Sequence, residues 1–218
     1  MCVNFTENQE EGEQQQVAGF SALDISKTVC FFAGDILHAI CTRDALRRFE
    51  KPTVYPCCFI VQVTPKLHSN HWILLYLFKE ENDAVSLFWF DSLALKPEDY
   101  GLRDLMESWA DQVIYTNKQL QSESSENCAK FCVTTLYFLK CYFNPRTILE
   151  LFNQDRPSHN ENFVDTIWNH VRMTLSPAYS SLLLKQVHEY HAVAECTGTS
   201  TCSLCDFVTS HPKQKIVS

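Results

Sequence analysis

The chain has 218 residues, 45% of them apolar, and a formal charge of −8 from 18 Lys and Arg against 26 Asp and Glu. Enough apolar material is present to bury a core, so a wholly disordered chain is excluded, and the length suits one domain with extensions better than two. A surface coated in basic charge for sequence-blind nucleic-acid binding is excluded as well, though not a local patch.

Residues 1–16 are acidic and Gln-rich and read as a flexible arm. They lack the basic start and apolar stretch of a signal peptide, and no apolar run reaches the ~20 residues of a membrane span. The expectation is a soluble protein made in the cytosol, without membrane contact and monomeric by default. There, 11 cysteines suggest free thiols, metal ligands or a nucleophile rather than a disulfide framework. Composition becomes globular at residue 17. Cys57–Val63 is rich in β-branched and aromatic residues and reads as a strand. Residues 71–78 and 85–90 are nearly continuous apolar runs around a short polar break, the pattern of a hairpin of central strands covered on both faces. Leu102, Leu105, Met106 and Trp109 recur at helical spacing, and residues 112–115 form a shorter strand candidate. A second helical stripe, Phe131, Thr135, Phe138, Leu139 and Tyr142, opens near Ser124 or Ser125 and ends before Pro145. Residues 148–152, 163–171 and 181–190 suggest further helices. Strands in the middle with helices mostly after them give an α+β class. The domain is expected over 17–191, with 192–218 a flexible Cys-containing tail. Five glycines, with no GxGxxG or GxxxxGK[ST], make a phosphate loop improbable.

Four residues could carry chemistry together. Cys128 lies in the first turn of the second helical stripe, where the partial positive charge favours thiolate; the plain alternative is a buried helix Cys. His71 opens a strand and could serve as general base, or be a structural His. Asp91 ends the next strand. A hairpin places it at the same sheet edge as His71, where a carboxylate can orient the imidazole; otherwise it is a turn Asp. Gln121, seven residues before Cys128, could donate its amide to an oxyanion, or be an exposed loop side chain.

His71-Trp72, Phe90-Asp91-Ser92, Leu120-Gln121-Ser122 and Cys128-Ala129-Lys130-Phe131-Cys132, in that order, resemble the adenain-like cysteine proteases of adenoviruses, adomaviruses and Polinton or adintovirus-type elements. The wider clan includes the Ulp/sentrin-type proteases. The similarity spans roughly 20–171 and includes Phe163-Val164 after Asn160. The seven-residue Gln-to-Cys step is similar to adenain rather than to the shorter Ulp form. The resemblance implies a papain-like architecture with rearranged chain order, a central mixed sheet flanked by helices. It implies Cys128 as nucleophile, His71 as base, Asp91 as its orienting group, and Gln121 with the Cys128 N–H as oxyanion hole. Trp72 would flank a substrate channel that admits narrow Gly-containing sequences; the other reading of Trp72 is core packing. Ala129 stands where the family has Gly, and a position needing positive φ would resist it.

The implied function is a virus- or mobile-element-encoded endopeptidase that cleaves capsid or core precursors during virion maturation, in the host nucleus and virion. The alternatives are a protease for ubiquitin-like modifiers and an inactive binding module on the same fold. None of the glycines forms a Gly pair or Gly-x-Gly, so self-processing is not expected. The family uses DNA and a Cys-linked viral peptide as activators; the sequence itself requires no cofactor, and the charge of −8 does not support DNA binding. In the tail, His188, His191, Cys196, Cys202 and Cys205 contain HxxH and CxxC, spacings that zinc can use, but without two well-spaced pairs a Cys-bearing tail is the simpler reading.

Overall fold

The computed structural model describes residues 20–64, 70–141, 143–152 and 155–173. The expected arm, the tail with its His and Cys residues, and the helix at 181–190 lie outside the described residues.

The first element, α1 (Ala22–Ala33), is nucleated by a capping box: the Ser21 hydroxyl accepts from the Asp24 N–H, and the Asp24 carboxylate accepts from the Ser21 N–H. Ile25, Val29 and Ala33, four residues apart, form its buried stripe. Strand β1 (Leu37–Thr42) and the single turn α2 (Arg43–Leu46) follow. Neither α1 nor β1 is anticipated by the sequence reading. Three long strands come next: β2 (Cys57–Val63), β3 (His71–Lys79) and β4 (Val85–Phe90). A 3-10 helix (Pro97–Tyr100), α3 (Arg103–Trp109) and β5 (Gln112–Tyr115) lead to α4 (Cys128–Lys140), α5 (Pro145–Leu151) and α6 (Pro157–Met173).

The fold is α+β: a five-stranded mixed sheet in sequential order β1 to β5, flanked by helices. The outer pairs β1–β2 and β4–β5 are parallel, and the inner pairs β2–β3 and β3–β4 are antiparallel. Alternation along the central strands sorts the core into two layers. Cys58, Ile60, Trp72, Leu74, Phe88 and Phe90 join α1, α4, α5 and α6 on one face. Phe59, Val61, Ile73, Leu75, Leu87 and Trp89 pack on Leu46, Tyr100, Met106 and Trp109 on the other. With both faces covered, all six residues of β4 are buried, which explains why the strands read as nearly continuous apolar runs.

Two local expectations are corrected. Helix α4 starts at Cys128, not at Ser124 or Ser125, because Ser125 is engaged elsewhere: its carbonyl accepts from the Gln121 amide and its hydroxyl from the Asn127 N–H. Pro145 does not simply stop the preceding helix, which already ends at Lys140. It occupies the first position of α5, where its missing N–H costs nothing, behind the Asn144 side-chain cap on Thr147.

Candidate active site

The expected hairpin carries the site. Strand β3 begins at His71, which faces Val63 of β2, and the β3–β4 ladder runs out to the pair Leu74 and Phe90. Continued outward, that register sets Leu93 opposite His71 and leaves Asp91 its diagonal neighbour on the same face. The His71 Nε2 lies 2.9 Å from the Asp91 Oδ1. Its place at the strand end lets the ring meet Asp91 while lying near enough to Cys128 for the thiol to influence its charge. With Nε2 taken by the carboxylate, Nδ1 is the nitrogen left for sulfur.

Asp91 is fully buried, and its carboxylate is well supplied with donors. Oδ1 also accepts from the Leu93 N–H at 2.7 Å, and Oδ2 accepts from the Tyr100 hydroxyl at 2.6 Å. Its own N–H donates to the Thr116 hydroxyl. Burial, foremost, and the Asp91 charge keep the Tyr100 phenol protonated well above its ordinary range, so it acts here as a donor. For His71, burial is the largest single influence and opposes the charged ring. The hydrogen bond and charge of Asp91, with a further contribution from the nearby Cys128, outweigh it and raise the pKa from 6.5 to about 9.

Cys128 is the first residue of α4, where no side chain caps the opening N–H groups. One turn on, the Cys132 Sγ donates to the carbonyl of Trp72, the residue after His71, and so fixes the start of α4 against the start of β3. Gln121 is buried rather than exposed in a loop. Its Nε2 donates to the Ser125 carbonyl and its Oε1 accepts from the Ser92 hydroxyl at 2.7 Å. The segment around it is clamped from two sides. Leu120 and Gln121 donate their N–H groups to the Ser92 carbonyl. From α6, Asn160 Nδ2 donates to the Leu120 carbonyl, and the Glu161 carboxylate accepts from both the N–H and the hydroxyl of Ser122.

Trp72 is a core side chain in this structure: it is 3% exposed and its Nε1 donates to the Phe20 carbonyl. Ala129 sits inside α4 and is not among the residues with positive φ, so the missing glycine causes no backbone strain there. Gly101, at φ +64°, does require glycine; it closes the 3-10 helix that carries Tyr100. Tyr100, Ser92, Thr116, Asn160 and Glu161 are the site residues that sequence reading missed. Of these, Ser92, directly after Asp91, and Asn160, before Phe163-Val164, stood in motifs of the resemblance without being given a role. The described cysteines Cys30, Cys41, Cys57, Cys58, Cys128, Cys132 and Cys141 are free thiols. Among the described residues no group of three or more His, Cys, Asp or Glu side chains is placed to hold a metal ion, and no helix is long and apolar enough to cross a membrane.

No protein-family model matches the chain, and neither does any curated protein.

Proposed function

We propose that the chain is a cysteine endopeptidase of the adenain type, acting on protein substrates at Gly-containing sites. The observation that carries this reading is the buried His71–Asp91 pair at two strand ends, with the buried Cys128 thiol at a helix start near enough to influence the ring. Asp91 orients the ring and favours its charged form, while Tyr100 and the Leu93 N–H hold the carboxylate still.

In the reaction, the thiol proton passes to His71 and the Cys128 sulfur attacks the scissile carbonyl carbon. A C–S bond forms, and the carbonyl oxygen becomes an oxyanion that accepts from the second Gln121 amide N–H and the Cys128 N–H. His71 returns the proton to the leaving nitrogen as the C–N bond breaks. Water, deprotonated by His71, then releases the acyl group and regenerates the thiol. The role follows for the organism by the same resemblance: maturation of capsid or core precursors in the host nucleus and virion.

The test is incubation of the protein and its Cys128→Ala variant with peptides carrying Leu-x-Gly-Gly or Leu-x-Gly-x-Gly, with cuts mapped by mass spectrometry. Cleavage by the first protein and not the second is the expected result. Turnover confined to Gly-Gly-ended modifier conjugates would transfer the assignment to the modifier proteases. A Cys128 that neither cleaves nor reacts with a thiol probe would overturn the enzyme reading.

A further inference from the structure

Ser92 plays no part in the reaction scheme above, yet both its hydroxyl and its carbonyl hold the Gln121 segment. Its hydroxyl meets the Gln121 Oε1 at 2.7 Å, and its carbonyl accepts from the N–H groups of Leu120, at 2.8 Å, and Gln121, at 3.1 Å. Both side chains are buried, Ser92 at 1% and Gln121 at 2% exposure. The direction of the amide follows from chemistry. The Ser125 carbonyl can only accept, so the amide nitrogen must face it. The amide oxygen then faces Ser92, whose hydroxyl must donate. Without that donor, the buried Oε1 loses its partner and the amide is held at its nitrogen end alone, by the Ser125 carbonyl.

We propose that Ser92 is a positioning residue that locks the Gln121 amide with an N–H toward the developing oxyanion. Through its neighbour Asp91, the same end of β4 also sets the imidazole. Two adjacent residues thereby align both the acid–base arm and the oxyanion arm. This rests on the oxyanion role given to Gln121 above.

Two reagents separate the arms at Cys128. Iodoacetamide alkylates sulfur by displacing iodide and forms no oxyanion. p-Nitrophenyl acetate acylates it: the C–S bond forms through a tetrahedral oxyanion, the thiol proton goes to His71 and p-nitrophenolate leaves. Both rates are read at Cys128 by peptide mass. Ser92→Ala should slow acylation ~10-fold and Gln121→Ala ~100-fold, by analogy with losing an oxyanion donor, while alkylation stays within ~2-fold. The double variant should match Gln121→Ala within ~2-fold, since the serine acts only through the amide. Ser92→Thr, which keeps the donor, should restore acylation to within ~3-fold of the original rate.

Acylation unaffected by Ser92→Ala, multiplicative losses in the double variant, or alkylation falling in step with acylation would each overturn the proposal. The last result covers a variant that fails to fold. Absence of peptide cleavage with acylation intact would instead sink the endopeptidase reading and leave this one standing.

Discussion

Asp91→Asn separates what the carboxylate does by shape from what it does by charge. An Asn carbonyl in place of Oδ1 still accepts from His71 and the Leu93 N–H, and its Nδ2 can donate to the Tyr100 oxygen once that hydroxyl turns. The geometry survives and the charge does not. At the 2.9 Å contact, the attraction between ring and carboxylate is roughly 4–6 kcal/mol at an effective dielectric constant near 20. Burial offsets part of this. The net rise of the His71 pKa from 6.5 to about 9 corresponds to about 3 kcal/mol in favour of the protonated ring. Because the folded value lies above the unfolded one, this stabilisation is complete below pH 6.5 and lost as pH rises through about 9. Urea unfolding of both proteins across that range, under reducing conditions, reads it directly. The stability gap between original and variant should narrow by about 3 kcal/mol from pH 6 to pH 9.5, nearly all of the ring's share. In peptide cleavage the alkaline limb should move from near 9 to below 7, since His71 must still carry the proton for the leaving nitrogen. A gap that stays constant across the range would refute the reasoning that the Asp91 charge holds that proton.

Tyr100→Phe removes one donor from a buried carboxylate oxygen and should cost about 1–3 kcal/mol of unfolding free energy. The carboxylate then shares less of its charge with Tyr100 and attracts the His71 ring more strongly, so the alkaline limb should rise, the opposite direction to Asp91→Asn; an unchanged stability would contradict the contact. A short iodoacetamide pulse at pH 7.5, mapped by mass spectrometry, should label Cys128 and the exposed Cys30. It should spare Cys57, whose pKa burial pushes up to about 12, and Cys58 and Cys132, whose thiols burial also pushes well up.

The hairpin was legible because its strands are covered on both faces, which leaves nearly continuous apolar runs in the chain. The nearness of His71 and Asp91 then followed from antiparallel pairing alone. Helix α1 escaped notice although Ser21, Asp24 and the stripe of Ile25, Val29 and Ala33 carry its signature; its dozen residues border a polar arm that dilutes the pattern. The start of α4 was misplaced because Ser124 and Ser125 look like helix caps, while the Gln121 amide, a partner from outside the helix, recruits Ser125 into a loop. The burial of Gln121 and the contacts of Ser92, Tyr100 and Glu161 were out of reach. They join segments brought together by the sheet and by α6, and no local periodicity records such meetings.

The two arms of the site differ in how firmly they are mounted. Helix α4 is buried along ten of its thirteen residues and wedged between β3, α1, α5 and α6, so the sulfur belongs to the core and cannot yield without disturbing it. The Gln121 segment between β5 and α4 is tethered by individual hydrogen bonds to Ser92, Asn160 and Glu161. Under the proposed function, any adjustment to substrates of different girth would fall mainly on the Gln121 side. Losing one of those buried tethers costs the partner left behind its hydrogen bond, on the order of 1–3 kcal/mol, but leaves the packed face of α4 in place.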